Sequence, residues 1–322
     1  MEELIMTPQN FMIQAPARLL AAGMRVNSLR TNGLLRSDEW KEIDRAVLAV
    51  ARQSLVGVAD LRSFDLIHPL GGLGTIISAY ERGSDMSSAN VDMSGVAAGV
   101  EDVSAFDMAG VPIPIVHKDF RLSVRELEAA RRMGNAIDTT NAAVAGQKVA
   151  EGLESILFNG SDIKSGGYAL YGYTTHPNRN TGLADGDFGT IANIYPTVNR
   201  MVAAARNDGY GGPYVLYVPN DQYSEMLAVY TDGSGQTALR RCLENIPGLQ
   251  KVQNASALTS GTLVLVSMQR NVVDLAVAQD VVTIEWGEMG GMLSRFKVLA
   301  AMAPRIKSDG AGHSGIVHYT GA

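Results

Sequence analysis

Several places in the 322-residue sequence hold side chains of a type and spacing that could do chemistry, and each lacks the context that the chemistry needs. Gly71-Gly72-Leu73-Gly74 could cradle a phosphate on backbone N–H groups, but it has neither GxGxxG spacing nor a Lys-Ser/Thr ending, and reads as a turn. His68, His117, His176, His313 and His318 are candidate metal ligands by type. They are scattered, and none has a histidine or carboxylate at a ligand spacing such as HExxH. Gly312-His313-Ser314-Gly315 approaches a hydrolase nucleophile turn, yet Ile316 stands where the second glycine of GxSxG belongs. His117-Lys118-Asp119 sets three ionisable groups side by side, but strand neighbours point to opposite faces, so the triplet reads as a solvated strand end. Cys242, the only cysteine, lies in an amphipathic helical run and reads as a small buried apolar residue. No catalytic residue, metal site or cofactor is assigned on these grounds.

The elements that would position any such group are organised around Asp138 to Gly160, which reads as one long helix. Asp138 and Thr139 can cap its first turn, Ala142, Ala145, Val149, Leu153 and Ile156 recur at helical spacing, and Asn159-Gly160 supplies a left-handed stop. Gln147, Lys148, Glu151 and Glu154 mark the expected wet face. Gly146 and Gly152 each cost about 1 kcal/mol against alanine, a penalty that points to another backbone packed close. Before this spine, Met1 to Arg36 reads as an apolar arm lying on another surface, and Ser37 caps an amphipathic helix on Trp40, Ile43, Val47 and Val50 that Gly57 should end. Phe64 to Phe120 reads as a long two-stranded excursion, with strand-like pieces at Thr75–Tyr80 and Val111–Val116, that needs a partner surface. Ser123 to Glu126 has capping-box spacing and opens a short helix ending at Gly134.

After the spine, Gly160 to about Gly189 reads as turn chemistry without a core element. From Thr190 the texture is α/β. Helices are expected at Pro196–Asn207, Asp221–Tyr230 and Ala238–Asn245. Strands are expected at Tyr214–Val218, Leu263–Ser267, Val272–Ala278, Val281–Trp286 and Phe296–Met302, with an edge strand at Gly315–Tyr319.

Composition narrows the function classes. The chain is 46% hydrophobic, enough for a substantial core, and 27 basic against 33 acidic residues leave a net charge of -6 without a basic arm, which argues against tight DNA binding. No apolar run reaches the roughly eighteen residues that cross a bilayer, and the first residues lack a signal-like pattern, so the expectation is a protein made and kept in the cytosol with no membrane partner. One charge pattern stands out. Glu101, Asp102 and Asp107 lie in the excursion and Arg121, Arg125, Arg131 and Arg132 just beyond it, so the two groups could pair between subunits.

Blocks of sequence in consistent order resemble a known family. LRSDEWKEIDRAVLAVARQSLVG (Leu35 to Gly57), VPIPIVHKDFRLSVRELEAARR, VAEGLESILFNG, GGPYVLYVPNDQY and LAVAQDVVTIEW are similar to the encapsulin and linocin proteins, spanning roughly Leu35 to Met302. The resemblance implies an α+β chain with the Hong Kong 97-type phage capsid fold. Its parts would be an N-terminal arm (1–36), an extended β-hairpin loop (64–118), a peripheral domain carrying the long spine helix (37–63, 119–189 and 274–322) and an axial α/β domain (190–273). The chain departs from the encapsulin pattern in a longer arm before Trp40 and in running past the usual final strand into RIKSDGAGHSGIVHYTGA, and the loop LYGYTTHPNRN resembles phage capsid proteins more than compartment shells. Some encapsulins stack a flavin on a tryptophan of the extended loop. Here the only tryptophans are Trp40 and Trp286, and no flavin site is carried over. Phe64 to His117 contains no lysine, which argues against the covalent cross-link that some phage shells make.

The resemblance therefore implies a non-enzymatic major capsid protein of a tailed phage or prophage, assembling with itself into pentamers and hexamers around double-stranded DNA held by nonspecific contacts. Portal, scaffold and decoration proteins are the further partners implied, and the place is the virion capsid, assembled in the bacterial host cytoplasm. Phe11, Leu19 and Leu20 of the arm join the charged residues above as candidate inter-subunit contacts. The alternative is an encapsulin-type nanocompartment around a cargo enzyme, with the cargo groove lined by the Trp40 helix. A third reading, from another class, is an enzyme in Thr190 to Trp286.

Overall fold

The computed structural model describes residues 37–83, 106–133, 139–230, 235–288 and 293–322, with isolated positions 91, 93, 101 and 103. The expected arm 1–36, with Phe11, Leu19 and Leu20, and Asp102 in the excursion lie outside the described residues. The chain gathers into two compact units. The first takes the described part of Met1–Ser78 with Pro112–Leu157 and Leu275–Ala303, and the second takes Ala79–Val111, Phe158–Asp274 and Pro304–Ala322.

In the first unit, helix α1 (Ser37–Ser54) buries Ile43 and Val47 completely, and Trp40 meets Phe296 edge-on with ring centroids 5.9 Å apart. The helical run does not end at Gly57. It breaks at Leu55 and restarts as α2 (Val56–Ser63), with Gly57 inside the second helix. The reason lies elsewhere in the chain: the N–H groups of Gly57 and Val58, exposed by the restart, are taken by the Glu154 carboxylate at 3.2 and 3.1 Å. Strand β1 (Ile67–Pro69) follows, and then β2 (Ile77–Gly83), which from Ala79 on belongs, like β3 up to Val111, to the second unit. Further on, β3 (Phe106–Pro112) and β4 (Ile115–Ser123) lead into α3 (Val124–Met133). The α3 N-terminus is a reciprocal cap: Ser123 Oγ accepts from the Arg125 N–H and Glu126 from the Ser123 N–H, both at 3.3 Å.

The spine is α4 (Thr140–Asn159), stopped by Gly160 at φ 73°. Its glycines are close-packed, as their cost predicts. A β-carbon on Gly146 would lie 3.0 Å from the Val47 carbonyl oxygen, and one on Gly152 would lie 3.0 Å from a Val116 methyl. The wet face is narrower than expected: Gln147 and Lys148 bond to Glu151, all three exposed, but Glu154 is buried at 6% exposure. The unit's sheet has the order β1-β11-β12-β4, using β11 (Val273–Glu288) and β12 (Leu293–Ile306). β1 runs parallel to β11 and β4 antiparallel to β12. The expected strands Val272–Ala278 and Val281–Trp286 are thus one strand, because Gln279 and Asp280 continue the pleat instead of turning.

The second unit begins the passage after the spine with an antiparallel hairpin of β5 (Ser161–Ser165) and β6 (Tyr168–Leu170), then β7 (Asn180–Leu183). Gly160 to Gly189 is therefore more than turn chemistry. Tyr173 from its middle is fully buried, 5.6 Å from Phe158 and 6.3 Å from Tyr217 between ring centroids, and Gly160 and Gly172 approach too closely for any β-carbon. Helix α5 (Ile194–Asn207), strand β8 (Tyr214–Val218), helices α6 (Asn220–Met226) and α7 (Ala238–Asn245), and strands β9 (Leu249–Asn254), β10 (Thr262–Ser267) and β13 (Ile316–Thr320) complete the unit.

Its sheet order is β7-β13-β10-β8-β9, so β13 is an interior strand and not the expected edge; β7 and β9 hold the edges. Strand β9 has no clear sequence signal, since LQKVQN alternates only weakly, and α6 stops at Met226, short of Tyr230. The core between sheet and helices includes Ile194, Val198, Met201, Leu216, Leu265 and the thiol of Cys242. Burial raises that thiol to about 12, which makes it inert.

Candidate assembly surfaces

Strands β2 and β3 form a two-stranded sheet of their own, the ribbon expected of the excursion. It is shorter than Phe64–Phe120, because β1 and β4 are drawn into the four-stranded sheet. On β3 Met108 is exposed, and in the connection between the two strands Val91, Met93 and Val103 are almost fully so. A two-stranded ribbon has little core of its own, and the described residues leave these side chains exposed.

The sequence-picked charges divide. Glu101 is exposed, and Asp107, also exposed, meets Arg82 of β2 at 2.7 Å, a partner inside its own chain that the sequence did not suggest. Arg121, Arg125 and Arg132 are exposed and have no carboxylate partner among the described residues; nothing is described of the Arg131 side chain. Arg121 also lines a polar depression of about 520 Å³ with Phe120, Ser123, Glu126, Asn141 and Leu293. The structure thus brings three of the arginines onto one strand-to-helix passage.

Among the described residues the groups of reactive type do not assemble into a catalytic constellation. His117 and Asp119 do share a face, at 3.6 Å, correcting the expectation that they diverge: positions two apart on β4 point the same way. Both are half exposed, and Lys297 approaches Asp119 at 3.4 Å. His313 finds a carboxylate at Asp309, 3.3 Å away. Ser314 is buried, and its hydroxyl has no hydrogen-bond partner among the described residues. Among the described residues no three of His, Cys, Asp and Glu are placed to hold a metal ion, and no helix is long and apolar enough to cross a membrane.

Two buried carboxylates were missed or misplaced by sequence reasoning. Glu154 is lifted to about 7 by burial, against the lowering effect of its two backbone hydrogen bonds and with Asp60 adding to the rise. Asp274, also buried, is pushed up by burial, but bonds from Arg305 at 2.5 and 2.7 Å and from Lys307 at 2.8 Å outweigh it and hold the carboxyl below its usual value. Arg305 also lies over the Tyr80 ring at 5.7 Å, and Tyr80 Oη donates to the Ile306 carbonyl at 2.9 Å, so β2 is tied to the end of β12. A lone acid in the apolar run VVDLAVA was the available signal, since such a residue needs a cation inside.

Comparison with solved structures defines the class. The virus-like particle of Pyrococcus furiosus superposes with a TM-score of 0.62 over 87% of this chain and 98% of its own, at 17% identity. The capsid of the Myoviridae phage XM1 superposes with a TM-score of 0.59 over 80% and 89%, at 13% identity. The fold is the α+β Hong Kong 97-type fold of phage capsids and encapsulins. In sequence, the type 1 encapsulin shell protein EncA of Myxococcus xanthus is 31% identical over 86% of this chain and 92% of its own. The chain belongs to the encapsulin shell-protein family, and its residues 27–319 match the family of unknown function DUF6260.

Proposed function

We propose that the chain is the subunit of a closed icosahedral shell, and that the shell is the capsid of a tailed phage or prophage, built of pentamers and hexamers around double-stranded DNA. The observation that carries the shell reading is the β2–β3 ribbon with its exposed Met108, Val91, Met93 and Val103, apolar surface that no described part of the chain covers. A second copy is the natural cover in a protein of this family. Residues 64–118 then act as the extended loop, 37–63, 119–189 and 274–322 as the peripheral domain, 190–273 as the axial domain and 1–36 as the arm. Arg121, Arg125 and Arg132 face carboxylates of the next subunit, with Glu101 the exposed candidate in the loop. Many modest contacts repeated through a lattice then hold the shell.

The phage assignment is supported by the resemblance of the Leu170–Asn180 segment to phage capsid proteins and by the apolar arm; portal and scaffold proteins are its partners. The 31% identity with EncA supports the second reading, a nanocompartment enclosing protein. Electron microscopy of particles from the native source, with their ultraviolet absorbance ratio, separates the two. Filled, tailed shells containing DNA are expected; closed shells holding protein and no genome reject the phage assignment, and a soluble species without a lattice rejects both. Arg125→Glu with Arg132→Glu should impair assembly, and normal assembly of that variant removes these arginines from the interface.

A further inference from the structure

Beside the root of the ribbon, within the second unit, hydrogen-bond donors gather without acceptors to match them. Ser308 Oγ accepts from Arg82 Nη1 at 3.3 Å and from Asn178 Nδ2 at 3.0 Å. Both lone pairs of the hydroxyl are then used, and its own hydrogen has no acceptor among the described residues. Next to it, His176 Nδ1 accepts from the Asn178 N–H at 3.3 Å, which puts the ring proton on Nε2. Burial and the charges of Arg179 and Arg82 lower His176 to about 4, so the ring is a neutral donor at pH 7.

Arg179 closes the cluster. Its Nε donates to His318 Nδ1 at 3.1 Å and its Nη1 to the His176 carbonyl at 2.8 Å, but among the described residues no carboxylate pairs with it. Asp107 balances Arg82, so one positive charge is left over. Arg82, Asn178, Arg179 and Ser308 all keep partial solvent exposure. A partly open group with net positive charge and more donors than acceptors is complementary to a compact oxyanion that offers many lone pairs.

We propose that Arg82, His176, Asn178, Arg179 and Ser308 form a binding site for a phosphate oxyanion. A phosphate group supplies an acceptor to the Ser308 hydroxyl, to the free edge of the Arg179 guanidinium and to His176 Nε2 at once. Chloride matches the charge and leaves most of these donors unmatched. The group can be free orthophosphate or the phosphodiester of a nucleic acid; the site does not depend on what the shell encloses.

The test is equilibrium dialysis of radiolabelled orthophosphate against the purified full-length protein, with sodium chloride holding ionic strength constant. Saturable uptake near one phosphate per chain is expected, weakened about threefold by Ser308→Ala, which keeps the fold because it removes a single oxygen. Arg179→Gln should weaken it by about tenfold, through loss of the charge-assisted bonds. Lys148→Gln, on the exposed face of the spine, should leave it unchanged. A short DNA duplex that displaces the label assigns the site to phosphodiester, and one that does not assigns it to free phosphate. Absence of saturable uptake, or uptake equal in Ser308→Ala and the unaltered protein, overturns the proposal.

Discussion

Glu154 in the first unit and Asp274 in the second are buried to the same depth, 6% exposed in both cases, and are held by opposite means. Burial raises the proton affinity of Glu154 in the first unit, and among the described residues two backbone N–H groups offset it only in part while the acidic neighbour Asp60 adds to it. Asp274 in the second unit is met by Arg305 and Lys307, and its affinity for protons falls. Depth of burial alone does not set the state of a buried acid; the charge of what it is bonded to does. One unit has a join that responds to pH near neutrality, and the other has a join locked as an ion pair.

Breaking the ion pair should have the larger effect. Asp274→Asn leaves the Arg305 guanidinium buried without its counter-charge, and loss of one partner of such a pair costs about 3–5 kcal/mol. The expected result is a large fall in unfolding midpoint of the full-length chain in denaturant. Glu154→Ala should cost less, about 2 kcal/mol, because it strands two buried N–H groups of α2 but also removes a charge that burial disfavours. A Glu154→Ala loss equal to that of Asp274→Asn would show that the two joins are not different in kind.

The pH windows sharpen the contrast. Because Glu154 is raised in the folded chain from 4.5 to about 7, its contribution is fully present below pH 4.5 and is lost as pH rises through 7. Asp274 is lowered from 3.8, so its contribution is present above that value and lost only as pH falls below it. His176, lowered from 6.5 to about 4, loses its contribution as pH falls across the same span in which Glu154 gains. The two must be separated by substitution. Melting temperature against pH should therefore differ between Glu154→Gln and the unaltered protein, the unaltered protein losing more stability between pH 5 and 8. Parallel curves would mean that Glu154 does not titrate in that range.

The same two acids show what the sequence could and could not disclose. The spine, the Ser123 cap, strand Tyr214–Val218 and helix Ala238–Asn245 were legible because each is written in local signals: period, caps and β-branched runs. Glu154 fits the wet face by polarity and by the period of Gln147 and Glu151, and nothing local reveals that α2 restarts ninety-odd residues earlier with its N–H groups aimed at that spot. Strand β13 looks like an edge because its stretch is glycine-rich, while its place between β7 and β10 depends on pairing across the chain. Of the candidate contacts, the exposure of Arg121, Arg125 and Arg132 followed from their positions, but the Arg82 partner of Asp107 did not: it depends on the register of two strands joined by a long connection.

The smallest effects fall on the two glycines that let the spine approach its neighbours, and they separate seating of Glu154 from helix stability. Alanine at either position gains about 1 kcal/mol of helix propensity. At Gly152 the new methyl meets a single Val116 methyl at 3.0 Å, a side chain that can turn away, so gain and cost nearly cancel. At Gly146 it meets the Val47 carbonyl oxygen at 3.0 Å and the Val47 Cα at 3.2 Å, backbone of α1 that cannot turn. Gly146→Ala must move α4 away from α1, so a net loss of about 1 kcal/mol is expected, against a change within about 0.5 kcal/mol for Gly152→Ala. If that movement also draws Glu154 from the α2 N-terminus, the pH dependence of melting should flatten in Gly146→Ala and persist in Gly152→Ala. Persistence in both would mean that the carboxylate is seated by α2 itself and not by the close packing of the spine.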